Sequence, residues 1–137
     1  MNTVTPCLLY EDVASALAFL SRAFGFTETL RYDDPAGYVS HAEMRYGDST
    51  LMLGDPGPDY RSPKNLGATT VQLHLQVDDV DALCARAREA GAEIIRDPED
   101  QAYGERSFSA TDPEGHVWTF GQHLRDVPAE EWGAVSS

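Results

Sequence analysis

From Val71 to Val77 the chain alternates without a break: Val71, Leu73, Leu75 and Val77 are aliphatic, while Gln72, His74 and Gln76 are polar. A period of two marks a strand with one face buried and the other free, so 70–77 is predicted as a strand. Elsewhere the period changes. Val13, Leu17, Leu20 and Phe24 recur at helical spacing and would form one buried stripe. Asp12 or Glu11 stands where a carboxylate can accept free amide hydrogens, and Gly25 suits the left-handed residue that ends a helix. The same reading gives strands at 4–10, 26–33, 36–46 and 49–54, broken by Asp34-Pro35-Ala36-Gly37 and Gly47-Asp48. Residues 55–67 are rich in proline and glycine and read as a long irregular loop. Beyond it come a helix at 80–90 closed by Gly91, and strands at 93–97, 105–111 and 116–122. Asp112-Pro113-Glu114-Gly115 has the residues of a type I turn with a glycine bulge, and 128–132 reads as a short terminal helix.

This order of elements occurs twice. Leu9-Tyr10-Glu11-Asp12-Val13 aligns with Gln76-Val77-Asp78-Asp79-Val80, Ala16-Leu17 with Ala82-Leu83, and Gly47 to Leu51 with Gly115 to Thr119, at offsets of 66 to 68. One strand–helix–three-strand unit is therefore used twice. The organisation expected is a single domain, 1–137, with a first βαβββ module at 4–54, a linker at 55–68, a second module at 69–123 and a tail at 124–137. The fold class is α+β: two tandem modules forming a curled, cup-shaped mixed sheet with helices on its outer face.

Strand parity then selects the lining of the cup. Gln72, His74 and Gln76 face away from the helices, and the repeat places Thr5, Cys7 and Leu9 opposite them. In the last hairpin a glycine-bulge register pairs Ser109 with Thr119 and Ser107 with Gly121, which adds these four to the same face and leaves Phe108, Ala110, Trp118 and Phe120 on the helix side. The repeat offset brings Leu51 and Leu53 in with Thr119 and Gly121. Tyr60 and Tyr103 stand where they can reach the rim, either to stack on a flat ligand or to pin a loop, and Glu105 reads as an acidic rim residue. A concave face with a few fixed polar groups suits a small molecule; a merely wet sheet face is the competing reading. The candidate ligand-binding set is Cys7, Leu9, Leu51, Leu53, Tyr60, Gln72, His74, Gln76, Tyr103, Glu105, Ser107, Ser109 and Thr119, with no catalytic residue assigned.

Composition narrows the partners. The 137 residues carry a net charge of −13, which argues against nucleic acid or an anionic membrane as partner. Acidity could attract a cationic ligand, though a solvated acidic surface is the simpler explanation. Only two cysteines are present, too few for a disulfide framework, and there is neither a spanning apolar run nor a signal-like start, so a reduced, cytoplasmic setting is expected.

The duplicated unit, the Asp12 and Asp79 helix starts, and the run from Tyr103 to Phe120 with its Asp112-Pro113-Glu114-Gly115-His116 hairpin resemble the vicinal oxygen chelate superfamily, which includes glyoxalases, extradiol dioxygenases and bleomycin resistance proteins. The resemblance covers about 4–123 and implies paired βαβββ modules and, usually, a homodimer. It also implies, for the enzymes, a divalent metal held by four His, Glu or Gln side chains. Carried onto this chain those positions fall on Thr5, Leu51, Gln72 and Thr119, of which Gln72 alone is a serviceable ligand. No metal and no cofactor are therefore expected. His74 with Cys7 and Gln72, or His41 with Glu43, are the alternatives for a non-standard site. The function expected is that of the antibiotic-resistance branch: non-catalytic sequestration of a peptide or polycyclic aromatic, conceivably cationic, natural product. The rival is an enzyme, with relocated metal ligands or with acid–base chemistry by His74 or Glu43.

Overall fold

The computed structural model describes residues 2–137. Its elements run β1 (Cys7–Leu9), α1 (Val13–Phe24), β2 (Thr27–Asp33), β3 (Val39–Tyr46), β4 (Ser49–Gly54), α2 (Pro63–Leu66), β5 (Gln72–Gln76), α3 (Val80–Glu89), β6 (Glu93–Asp100), β7 (Glu105–Thr111) and β8 (Val117–His123), followed by a 3-10 turn at Ala129–Trp132. The strands form two four-stranded mixed sheets, ordered β1-β4-β3-β2 and β5-β8-β7-β6. In each, the first strand pairs parallel with the last and the remaining pairs are antiparallel. This is the α+β architecture of two tandem βαβββ units, and neither sheet closes into a barrel.

The helix ends follow the sequence chemistry. Asp12 Oδ1 accepts the Ser15 N–H at 3.0 Å, and Asp79 Oδ1 accepts that of Ala82 at 3.1 Å. Gly25 takes the left-handed conformation, φ 83°, and closes α1 with bonds back to Leu20 and Ser21. The buried stripe of α1 is wider than four residues, since Ala16, Phe19 and Ala23 join it. One core serves both modules: Phe24 of α1 lies 4.7 Å from the ring of Phe120 and 5.5 Å from that of Trp118, both on β8.

What joins the modules is side-chain bonding and this shared core, for among the described residues no ladder pair links the two sheets. Arg86 of α3 donates to the carbonyls of Ser21 and Arg22 at the end of α1, while Arg22 donates to Ala90 at the end of α3. Each cation sits at the negative pole of the other helix. A second joint is made by the turn between β7 and β8. Its Asp112 accepts from the Tyr10 hydroxyl at 2.7 Å and from the Trp118 indole at 3.1 Å, and its Glu114 accepts from the backbone of Glu11 and Asp12.

The first strand is shorter than the 4–10 expected and β3 begins at Val39 rather than at 36, and two further elements differ in kind. The mid-chain loop contains the single-turn helix α2, because Pro63 at its first position needs no amide partner and Glu11 accepts from the backbone of Ser62 and the side chain of Asn65. Strand β6 runs on to Asp100, past Pro98, which an edge strand tolerates because one of its sides carries no ladder.

Candidate ligand-binding face

The polar face of the second sheet is a grid read directly from its register. One row across the four strands is His74, Thr119, Ser109, Arg96; the next is Gln76, Gly121, Ser107, Glu99. The alternation in β5 and the bulged hairpin of β7 and β8 put the polar residues together here, while Phe108, Ala110, Trp118 and Phe120 are wholly buried on the helix side.

Within the grid the hydrogen bonds run in one direction. Arg96 donates to the Ser107 carbonyl at 3.1 Å and to the hydroxyls of Ser107 and Ser109 at 3.0 and 3.3 Å. Ser109 bonds Thr119 at 2.8 Å, and Thr119 donates to Gln72 Oε1 at 3.2 Å. The chain from guanidinium to amide oxygen is thus polarised throughout.

The neighbouring cluster is built on Glu105, which is not a rim residue: it is 9% exposed. Its carboxylate lies over Gly121, where any side chain would collide with it. Gln76 Nε2 donates to Glu105 Oε2 at 2.8 Å and lies 3.4 Å from His74 Nε2. That leaves Oε1, 3.0 Å from His74 Nε2 but with no partner in hydrogen-bonding alignment. The imidazole itself is 44% exposed. Sequence reasoning found nothing to orient His74; the structure places Glu105 and Gln76 beside it. A hollow of roughly 1130 Å³ opens along β5: His74 and Gln76 line it together with Thr5, Tyr46, Thr50 and Leu73, while Glu105 stands behind them outside its wall.

Of the candidate set, Gln72, His74, Gln76, Glu105, Ser107, Ser109 and Thr119 are therefore brought together. Cys7 and Leu9 are exposed on the corresponding face of the first sheet, beside Met52 and Gly54 of β4, with His41 and Glu43 on the adjoining strand and 3.3 Å apart. Among the described residues no hydrogen bond connects the polar-face side chains of one sheet with those of the other.

Leu51 and Leu53 are corrected. They are 3% and 0% exposed and sit on the core side of β4, paired with Met44 and Ala42, which are equally buried; Leu51 nevertheless reaches the wall of the hollow, and Leu53 does not. The reason lies in the turns. Tyr46 pairs with Ser49 across a two-residue turn, whereas Thr111 pairs with Val117 across five residues. Cys7 faces Met52 as His74 faces Thr119, so the true offset is 67 and the first-sheet equivalent of Thr119 is Met52. Tyr60 and Tyr103 are held elsewhere: the Tyr60 hydroxyl donates to the Leu9 carbonyl at 2.9 Å, and Tyr103 packs against Trp132 with ring centres 5.6 Å apart.

Arg96 was missed. Its parity with Ile94 assigns it to the helix side, but a bulge between the two turns it over, so that Ile94 faces Ala110 while Arg96 faces Ser109. Pro98 two residues on was the available signal for an irregular edge. His116 also serves the joint between modules: it donates to the Leu9 carbonyl at 2.8 Å and meets the Tyr10 ring edge-on at 4.7 Å.

Titration is perturbed at the joint between modules. Burial, reinforced by Asp112, holds the Tyr10 phenol well above its usual range. Burial also raises the Glu114 carboxyl, against the pull of the Glu11 and Asp12 amides it accepts. Glu11 is lowered, chiefly by the Ser62 amide.

The metal of the superfamily's enzymes does not fit these residues. With the register corrected, its four positions are Thr5, Met52, Gln72 and Thr119. Gln72 Oε1 already accepts from Thr119, and a thioether with two hydroxyls is a poor complement for a divalent ion that prefers nitrogen, carboxylate or thiolate. Among the described residues no three His, Cys, Asp or Glu converge as a ligand set.

Paired βαβββ units, each with its first strand parallel to its last, define a class of duplicated α+β fold. Comparison with known proteins makes the assignment: residues 2–120 match the Glyoxalase/Bleomycin resistance protein/Dioxygenase superfamily, and the chain belongs to it. It is 40% identical over 139 residues to the uncharacterized protein Mb0911c of Mycobacterium bovis, covering 98% of this chain and 91% of that one. Among solved structures it is similar to TioX from Micromonospora sp. ML1, at 33% identity and a TM-score of 0.75, over 90% of this chain and all of that one. The fold is shared with the fosfomycin resistance protein FosX of Listeria monocytogenes, at 16% identity and a TM-score of 0.67, over 96% and 97% of the two chains. Among the described residues no helix is long and apolar enough to cross a membrane.

Proposed function

We propose that this protein binds and sequesters an antibiotic-like natural product, of peptide or polycyclic aromatic type, on the polar face of its second sheet. The observation that carries the reading is the convergence of seven polar side chains with Arg96 on one face, two of which, His74 and Gln76, also line a hollow large enough for a drug-sized molecule. Fixed donors and acceptors set the ligand's orientation, while Val4, Phe26, Leu73 and Leu75 in the wall of the hollow offer apolar contact. Membership of a superfamily that includes bleomycin resistance proteins, and a fold shared with a fosfomycin resistance protein, support a protective role. The natural partner besides the ligand is a second copy of the chain, forming a homodimer, in a cytoplasmic setting. The test is equilibrium dialysis against a panel of peptide and polycyclic aromatic antibiotics. Saturable binding of at least one class at micromolar concentrations, without turnover, is expected; no binding across the panel, with metal-free or metal-supplemented protein, overturns the reading.

A second reading follows from the closeness of His74 to Glu105. A carboxylate beside an exposed imidazole is the arrangement of an acid–base catalyst that needs no metal, suited to removing a proton next to a carbonyl. Solvent deuterium entering an α-hydroxy ketone in the presence of the protein, and lost in His74→Asn, would favour it over sequestration.

A further inference from the structure

The Glu105 carboxylate is half used. Gln76 occupies Oε2, whereas Oε1 is buried, lies 3.0 Å from His74 Nε2, with which it pairs ionically when the ring is protonated, and has no donor in hydrogen-bonding alignment. Gln76 Nε2 lies within reach of both Glu105 Oε2 and His74 Nε2; in the imidazole tautomer protonated on Nδ1, which leaves Nε2 free to accept from Gln76, no hydrogen stands between His74 Nε2 and Glu105 Oε1. A buried acceptor without a donor costs on the order of 1–3 kcal/mol, and more when it is charged. The arrangement is nevertheless built in: the missing side chain at Gly121 provides the notch into which the carboxylate sinks. The cations nearby are committed elsewhere. Arg96 is bonded to Ser107, Ser109 and Glu99, Arg106 to Asp81 and Asp100, and His123 to Asp126.

We propose that Glu105 Oε1, with His74 Nε2, is the anchor for a nitrogen cation on the ligand, a protonated amine that donates into the gap between the two acceptors. The inference rests on the binding function proposed above and narrows its ligand class to basic amines. The charge of the chain as a whole favours cations everywhere on its surface, so the site is distinguished by depth: this is a desolvated carboxylate, where an ion pair is worth far more than at an exposed one. The ammonium supplies up to three donors, enough to satisfy both acceptors at once.

Three isosteric probes test it: 1-naphthylmethylamine, which is cationic at neutral pH, 1-naphthalenemethanol, which is neutral, and 1-naphthoate. Binding is followed by ¹H–¹⁵N correlation spectra, with the Gln76 side-chain amide and the Gly121 backbone amide as reporters. The expected result is that the amine binds at least tenfold more tightly than the alcohol and moves both reporters. Glu105→Gln should abolish that preference while keeping a dispersed spectrum, and Asp97→Asn, which removes the same charge from an exposed position, should preserve it. Equal affinities, a preference unaffected by Glu105→Gln or lost equally in Asp97→Asn, or no binding by the amine overturns the assignment. The failure of the broader reading is separate: if antibiotics of the dialysis panel bind wild type and Glu105→Gln alike, sequestration stands and the amine anchor falls, whereas an empty panel removes sequestration itself.

Discussion

Leu9 and Leu53 are residues of one type on neighbouring strands of one sheet, and they do opposite things. Leu53 is fully buried between β3 and the helix layer, whereas Leu9 is 39% exposed. Truncating Leu53 to alanine removes contacts on all sides and should cost about 2–5 kcal/mol; Leu9→Ala should cost less than about 1 kcal/mol. Urea denaturation of both variants checks the orientation of the whole of β4, since a sheet turned over would exchange the two results. At the module joint, Tyr10→Phe leaves the buried Asp112 with one donor fewer and should cost about 1–3 kcal/mol at neutral pH. The folded-state phenol titrates above its unfolded value, so the stability it contributes is complete below the ordinary phenol range and is lost as pH rises through the raised value. The gap between wild type and Tyr10→Phe should therefore close above about pH 10, as followed by thermal unfolding across the alkaline range. These residues also show which positions the sequence could specify. Gln72, His74 and Gln76 were legible because alternation within one strand needs no partner to interpret. Leu51 and Leu53 were not, because their face was inferred through turns of unequal length, and one residue of error in register exchanges core for surface.

At the scale of elements, the helices were the easiest part to read, since their caps are local: Asp12, Asp79 and Gly25 act within one turn of themselves. Arg96 was unreadable for the complementary reason, as the bulge that turns it over is a property of the pairing of β6 with β7 and not of β6 alone. The helix pair is joined by the reciprocal arginines. Arg86→Ala removes two bonds to the end of α1, and because the guanidinium is exposed the loss should be modest, about 0.5–1.5 kcal/mol. Urea denaturation should show a lower midpoint with an unchanged slope. A smaller slope would mean instead that the two modules have begun to unfold separately.

For the molecule as a whole, the first sheet presents Leu9, Leu30 and Tyr32 to solvent on one face, and the second presents the polar grid. A lone chain leaves the apolar set uncovered, which is the physical argument for the proposed homodimer. Sedimentation velocity should give about twice the 15.0 kDa of one chain, and Leu30→Glu should reduce it to the single-chain value while leaving the circular dichroism spectrum unchanged.

The joint between the two modules also bears on how such a protein could have come into being. Since aromatic packing, paired arginines and one carboxylate-bearing turn unite the halves, the covalent tether between them serves as a leash more than as a girder. A chain opened at the exposed Pro58–Asp59 bond retains every one of those attachments, so its two fragments, made separately and mixed, should reassemble. That is the behaviour expected of a structure descended from two copies of a half-sized ancestor that met before they were ever fused.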